Sequence, residues 1–206
     1  TVECFAFITG TGTGIFQQGT SNFPTTDVNS VGLATTGGPS NPRFYIYAKN
    51  TTTYSTFNWA YNTWYHLALV RSSGTTTLYA DGTAIITVSS DTTNYTGTYF
   101  GIGSLYGTGT SERFTGNISN LRVVKGTALY TGSFTPPTSS LTSISGTSLL
   151  TCQSNRFVDN SSNAFAITVN GNTSVQPFSP FAPTAAYSAT TNGGSGYFDG
   201  TGDYLS

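Results

Sequence analysis

The stretch WYHLALVRSSGTTTLYADGTAI, Trp64 to Ile85, alternates apolar and polar side chains through Trp64–Arg71, again through Thr75–Ala80 and again from Thr83. A period of two is that of a half-buried β-strand, whose successive side chains point to opposite faces. Two dipeptides, Ser73-Gly74 and Asp81-Gly82, separate the three runs. Asp81-Gly82 is the clearer turn, because both central residues of a type I′ turn need positive φ and this pair adopts it at little cost. The expected local structure is a pair of hairpins made from consecutive antiparallel strands.

The same period extends outward in both directions. Thr1–Thr9, Arg43–Lys49, Thr83–Ser89, Thr98–Gly103, Phe114–Val124 and Ser148–Gln153 read as further strands. Turn signals stand between runs at Gly37-Gly38-Pro39, Gly107-Thr108-Gly109 and Asn170-Gly171. Asn170-Gly171 predicts another hairpin, joining FAITV to NTSVQPF. Thr, Ser, Gly and Asn fill the polar positions and 14% of residues are aromatic, a mixture that suits strands and turns. Nothing reads as a long helix. Many short strands at regular spacing therefore predict an all-β fold, an antiparallel β-sandwich or jelly roll.

Composition changes after Val175. The run QPFSPFAPTAAYSATTNGGSG carries Pro177, Pro180 and Pro183 and then small residues and glycines, the make-up of a linker. Beyond it GYFDGTGDYLS, Gly196 to Ser206, resumes alternation around a Gly-containing turn and reads as the opening hairpin of a β-domain, placed at the end of a chain. The expected division is a sandwich over 1–176, a linker over 177–195 and an opening or donor strand over 196–206. Without that strand the sandwich has an edge of unpaired N–H and C=O groups, which segment 196–206 fills either in its own chain or in a neighbour's. Burying Tyr197, Phe198, Tyr204 and Leu205 in a neighbour's groove would join copies head to tail, a heterologous contact that need not close.

Only 7% of the 206 residues are charged and the net charge is −1, so no basic field awaits nucleic acid. No apolar run approaches the ~20 residues of a membrane span, and the start lacks the basic and apolar regions of a signal peptide. Cys4 and Cys152 each lie in a strand-like segment, which leaves open a disulfide between neighbouring strands or two buried thiols. The acidic residues are Glu3, Asp27, Asp81, Asp91, Glu112, Asp159, Asp199 and Asp203, and none falls in the E-x-D-x-x-E spacing that sets a hydrolytic pair on one strand face. No enzyme is expected. His66 is the one histidine, too few soft ligands accompany it for zinc, and it reads as a packed, hydrogen-bonded core residue. Asp199 and Asp203 in FDGTGD offer oxygens to calcium in a weak pattern that turn chemistry also explains, and no other cofactor is expected.

The Trp64–Ile85 block resembles the central hairpin of laminin-G-like domains of the concanavalin A-like jelly-roll superfamily, through Trp64, His66, Ala68, Arg71, Tyr79, Asp81 and Gly82. The block FTGNISNLRVVKGTALYTGSFTPPTSSLT, Phe114 to Thr142, is similar to the laminin-G-like repeats found in tandem in phage virion and tail proteins. The resemblance runs from Thr1 to about Gln153. It implies a concanavalin A-like jelly roll spanning about one repeat, with the opening strand of the next copy at its end. It also implies a structural subunit of an extracellular fibre or of a phage tail or virion appendage, whose partner is itself.

The alternative is a carbohydrate-binding or adhesion module of the same appendage, with cell-surface or environmental glycans as partners. Sugars stack on aromatic faces beside hydrogen-bonding side chains on loops. That chemistry singles out Tyr61 in NWAYN and Tyr106, Glu112 and Arg113 in LYGTGTSER. Five N-x-[ST] sequons, at Asn50, Asn94, Asn117, Asn160 and Asn172, would accept N-linked sugar in a glycosylating pathway.

Overall fold

The computed structural model describes residues 1–11, 14–19, 28–38, 40–105, 112–181, 188 and 193–206. Its strands are β1 (Val2–Ile8), β2 (Gly14–Gly19), β3 (Val31–Thr36), β4 (Arg43–Ala48), β5 (Thr51–Asn58), β6 (Trp64–Ser72), β7 (Thr75–Ala80) and β8 (Thr83–Val88). They continue with β9 (Tyr99–Ile102), β10 (Thr115–Val124), β11 (Thr147–Thr151), β12 (Val169–Asn170), β13 (Ser174–Gln176), β14 (Ser195–Asp199) and β15 (Tyr204–Leu205). Among the described residues there is no helix long and apolar enough to cross a membrane.

Two antiparallel sheets pack face to face. The first has the order β13-β14-β10-β1-β6-β7-β8, with β11 also paired to β10, and the second has the order β12-β15-β9-β2-β3-β4-β5. β6, β7 and β8 are successive hairpins as their sequence predicts. Their turn residues Ser73, Gly74, Asp81 and Gly82 all have positive φ, between 47° and 80°. Between the sheets Phe16, Phe44, Leu67, Leu78, Phe114 and Ile118 are fully buried, each contributing about 1.5–3 kcal/mol relative to exposure.

The first sheet is covered on its outer face as well. β6 is buried at every position from Tyr65 to Val70, which a sheet with one wet face does not allow. The cover is an irregular excursion between β10 and β11, which lays Ala128, Tyr130 and Phe134 on Ala68, Val70 and Tyr79. Tyr130 and Phe134 stack with centroids 3.6 Å apart, and Phe134 meets His66 and Tyr79 edge-on. Gly82 lets this layer close: its carbonyl accepts from Phe134 N–H at 3.1 Å, and a Cβ there would lie 1.8 Å from the Phe134 carbonyl oxygen.

Beneath the layer, fully buried Glu3 accepts two hydrogen bonds from Arg122, at 2.6 and 2.9 Å, and one from the Tyr130 hydroxyl at 2.8 Å. His66 Nε2 stands 3.1 Å from the same carboxylate. An ionised carboxylate only accepts, so the imidazole proton sits on Nε2. Burial pushes the Glu3 carboxyl up. The hydrogen bond from His66, the charge and hydrogen bonds of Arg122 and the Tyr130 hydroxyl outweigh it and hold Glu3 below the usual carboxylate range.

Two turns that read as hairpins are corners between sheets. β12 pairs with β15 in the second sheet while β13 pairs with β14 in the first, so the Asn170-Gly171 segment crosses between layers, and Gly200–Gly202 does the same between β14 and β15. Alternation around a glycine is common to both geometries. Fully buried Asp203 ties the corners together, accepting from Asn172 N–H and, at 2.9 Å, from Asp199 N–H.

The terminal segment lies within its own chain's sandwich. β14 stands between β10 and β13, and β15 between β9 and β12. Phe198 and Leu205 are fully buried in the main core, and Tyr197 is half-buried opposite Asn117 and Ser174. The segment read as a linker starts as a strap on the first sheet. Phe178 contacts Phe7 at 4.8 Å and Trp64 at 5.2 Å, and Phe181 contacts Phe5 at 5.0 Å. Its prolines suit extended backbone, while its aromatics cover apolar outward positions of β1 and β6.

Cys4 and Cys152 are free, buried thiols rather than a disulfide. β10 separates β1 from β11, and strands two apart stand roughly 9.5 Å from each other, beyond the ~7 Å Cα separation that a disulfide spans. Burial pushes the Cys152 thiol up to about 12 and Cys4 higher still.

Glu3→Gln should lower the unfolding free energy by about 3–5 kcal/mol, because Arg122 is left buried without its counter-charge. Tyr130→Phe should cost about 1.5 kcal/mol. Because Glu3 has a lowered folded-state pKa, its linked stability is present above the unfolded carboxylate value of ~4.3 and lost as pH falls through the folded value. Urea titrations across that range should show a flatter acid limb in Glu3→Gln than in the wild type.

Candidate functional site

The outer face of the second sheet is built on the alternation within RFYIYA. Phe44, Ile46 and Ala48 face the core, so Arg43, Tyr45 and Tyr47 project from the other side. Tyr54 on β5 pairs with Tyr45, their rings 5.5 Å apart, and the Arg43 guanidinium lies 5.2 Å from the Tyr54 ring centre. Tyr54 is 51% exposed. Toward the opposite edge, buried Arg113 donates to the Ser104 hydroxyl and sits 4.2 Å over the ring of Tyr204 on β15, close to Tyr99 on β9. Burial, with the Tyr204 phenol, pushes Tyr99 up to about 12 against the opposing charge of Arg113. Burial lowers Arg113, opposed by Tyr204, Tyr99 and Asp203.

Between these Tyr–Arg pairs the positions on the same face are buried, and all but Gln17 are small. Ala34 pairs with Tyr45, Gly32 pairs with Tyr47 and Gln17, and Gln17 pairs with Gly101. Leu105 rests on this floor, packed with Ala34 and Tyr47 and touched by Tyr45. The base of its loop is fixed by the bridge between Ser104 and Arg113 and by Leu105 N–H donating to the Glu112 carbonyl at 3.3 Å.

Of the residues selected from sequence for sugar contact, Arg113 belongs to this face and half-buried Glu112 stands beside it, with φ at +62°. Tyr106, Gly107 and Gly109 lie outside the described residues, as does Asp27. Tyr61 is elsewhere: its ring packs edge-on against Trp59 at 4.7 Å and against the core. The strand tyrosines Tyr45, Tyr54 and Tyr99 and Arg43 were passed over because a search for loop aromatics ignores strands. The signal was there in RFYIYA, which carries aromatics on both of its faces.

Asp199 and Asp203 serve the corners. Asp199 Oδ1 accepts from Thr201 N–H at 2.6 Å, and both Asp203 oxygens accept backbone N–H groups. Among the described residues no three His, Cys, Asp or Glu side chains form a group that could hold a metal ion. Asn50, Asn94, Asn160 and Asn172 are exposed, whereas Asn117 is buried on β10 with its amide donating to the Ser195 hydroxyl at 3.1 Å. A folded chain cannot present Asn117 to a glycosylating enzyme.

Two stacked antiparallel sheets, closed by corners at one edge, define a jelly roll of the concanavalin A-like type. The family model of the concanavalin A-like lectin/glucanases superfamily, Laminin_G_3, matches residues 5–129, and the chain belongs to that family. No curated protein matches the sequence. Among solved structures, the chain is similar to a "putative carbohydrate binding protein" from Bacteroides ovatus, with 17% identity and a TM-score of 0.52 over 100% of this chain and 52% of that one. It is also similar to the native heptameric SAP-like pentraxin of Limulus polyphemus, with 21% identity, a TM-score of 0.46 and 59% and 61% of the two chains covered. Domains LG4-5 of the mouse laminin alpha1 chain align with 15% identity, a TM-score of 0.44 and 66% and 38% covered. The chain thus spans about half the length of these structures, and at such identities the likeness is one of fold.

Replacing Asp203 by Leu removes the acceptor of two partly buried N–H groups, at about 1 kcal/mol each. A thermal melt should show Asp203→Leu well below the wild type, and the wild-type midpoint should be the same in calcium and in EDTA. A calcium-dependent rise abolished by Asp203→Leu would assign the carboxylates to a cation.

Proposed function

We propose that the chain is a carbohydrate-binding module acting outside the cell, and that sugar docks on the outer face of the second sheet. The observation that carries this reading is the half-exposed Tyr54 ring with the Arg43 guanidinium 5.2 Å from its centre. A tyrosine ring offers a flat apolar surface to the C–H face of a pyranose, and a guanidinium beside it offers fixed donors to hydroxyls or to an acidic sugar. Leu105 packs on this face and Glu112 stands beside it, and Tyr106, next to Leu105 in sequence, is proposed to supply selectivity. Membership of a lectin/glucanase family and similarity in fold to a protein titled as carbohydrate binding support the same class.

A glycan array probed with the whole chain, followed by calorimetry on the best binder, tests it. Tyr54→Ala at its exposed site should weaken binding about three- to tenfold, the range of an aromatic contact worth about 0.5–1.5 kcal/mol. Tyr106→Ala should change which glycans bind. Silence across the array, or affinity untouched by both Tyr54→Ala and Tyr204→Ala, would overturn the reading.

A second reading, self-association of copies, is favoured by the placement of β14 and β15. One corner-linked segment fills an interior place in both sheets, with Phe198 and Leu205 buried. The same segment inserted into a neighbour would make identical contacts, and head-to-tail repetition would give the fibre or virion appendage that the tandem-repeat resemblance implies. Sedimentation over a wide range of concentration tests it: association abolished by Phe198→Asp supports exchange, and a monomer at every concentration overturns it.

A further inference from the structure

One end of the sandwich is open between its sheets. On the first sheet Leu69, Val2, Val123 and Leu149 stand in one cross-strand row through β6, β1, β10 and β11. On the second, Val31, Gln18 and Phe100 form the facing row. Both rows line a cleft of about 840 Å³, within the range of small-molecule sites, roughly 300–1,000 Å³. Val2, Val31, Phe100, Val123 and Leu149 are only partly buried although they pack against the core. Gln18 is the one polar member of either row, its amide donating to the Gly97 carbonyl at 2.5 Å.

Charge at the mouth has one sign. Arg71 and Lys125 line it, no described acidic side chain does, and Lys125 is exposed. Arg71 is held in place by the Thr93 carbonyl and by the Tyr95 ring 5.0 Å away. The Asp91 carboxylate accepts from the hydroxyls of Thr76 and Tyr95, at 2.5 and 2.6 Å, and stands 4.0 Å from Arg71, so Arg71 is partly neutralised and exposed Lys125 supplies most of the charge of the rim. Phe165, 56% exposed, overhangs the same opening. Two apolar walls behind a cationic rim match a molecule with an aliphatic body and an anionic head.

We propose that this cleft binds a small anionic amphiphile, its aliphatic body between the sheets and its head beside Lys125 and Arg71. The site is separate from the outer face proposed for sugar, so either can fail without the other.

The test is displacement of 8-anilino-1-naphthalenesulfonate from the folded chain by dodecanoate and, in parallel, by dodecanol. Dodecanoate should displace the dye at about fivefold lower concentration, the scale of an exposed ion pair. Lys125→Glu, at an exposed position that leaves the fold intact, should bring the two to parity. Leu149→Trp, or Val31→Trp if the first fails to fold, should fill the gap and remove dye binding. No dye binding by the folded wild type, equal displacement by acid and alcohol, or unchanged dye binding in a folded filled variant would each overturn the proposal.

Discussion

The Glu3 carboxylate sits where three strands of one sheet meet the segment that covers them. Taking a carboxylate fully out of water costs several kcal/mol, and here that cost is offset by four short contacts from Arg122, Tyr130 and His66. The contacts also fix geometry. Glu3 pairs directly with Arg122 across β1 and β10, and a slip of one residue would turn the carboxylate into the hydrophobic interior. Because Tyr130 belongs to the excursion between β10 and β11, the same carboxylate that sets the strand register also seats the outer layer.

That outer layer decides where function can be. Tyr130, Phe134, Phe178 and Phe181 cover outward positions of the first sheet, so that part of its surface is used for packing. The second sheet has Tyr54 exposed and two guanidinium groups over tyrosine rings. The interior gap lies at the end marked by Arg71 and Lys125. The sandwich therefore differs between its regions, with an aromatic and polar surface at Tyr54 and Arg43 and an apolar cleft with a cationic rim at Lys125.

What was legible from sequence follows from physics that acts locally. Asp81-Gly82 demanded a I′ turn, and alternation marked β1, β4, β6, β7, β8, β9, β10 and β11, because each requirement is met within a few residues. β2 and β3 escaped because GIFQQG and VGLATT are short and rich in glycine and small or polar residues, and β5 because TTTYSTFN is mostly hydroxylated. The strap and the corners escaped for a different reason. Proline spacing says that backbone is extended, not what it lies on, and a glycine between alternating runs does not say whether the second run returns to the same sheet. Arg113 was singled out as a loop cation. Its aromatic partner Tyr204 was singled out as an assembly residue, and their meeting is a long-range fact.

The placement of β14 and β15 bears on self-association through a balance of like against like. If this segment inserted into a second copy, Phe198, Leu205 and the Asp203 corner would recover the contacts they have now, so burial and hydrogen bonding favour neither arrangement. The balance would fall to the connection after Phe181, whose strap must stay on Phe5 and Phe7 in either case, and to the concentration of competing copies. In a tandem array the next groove is tethered to the chain and its effective concentration is high; between separate chains it is set by dilution alone. The same residues would then give closed monomers or continuous filaments without a change in any side-chain contact.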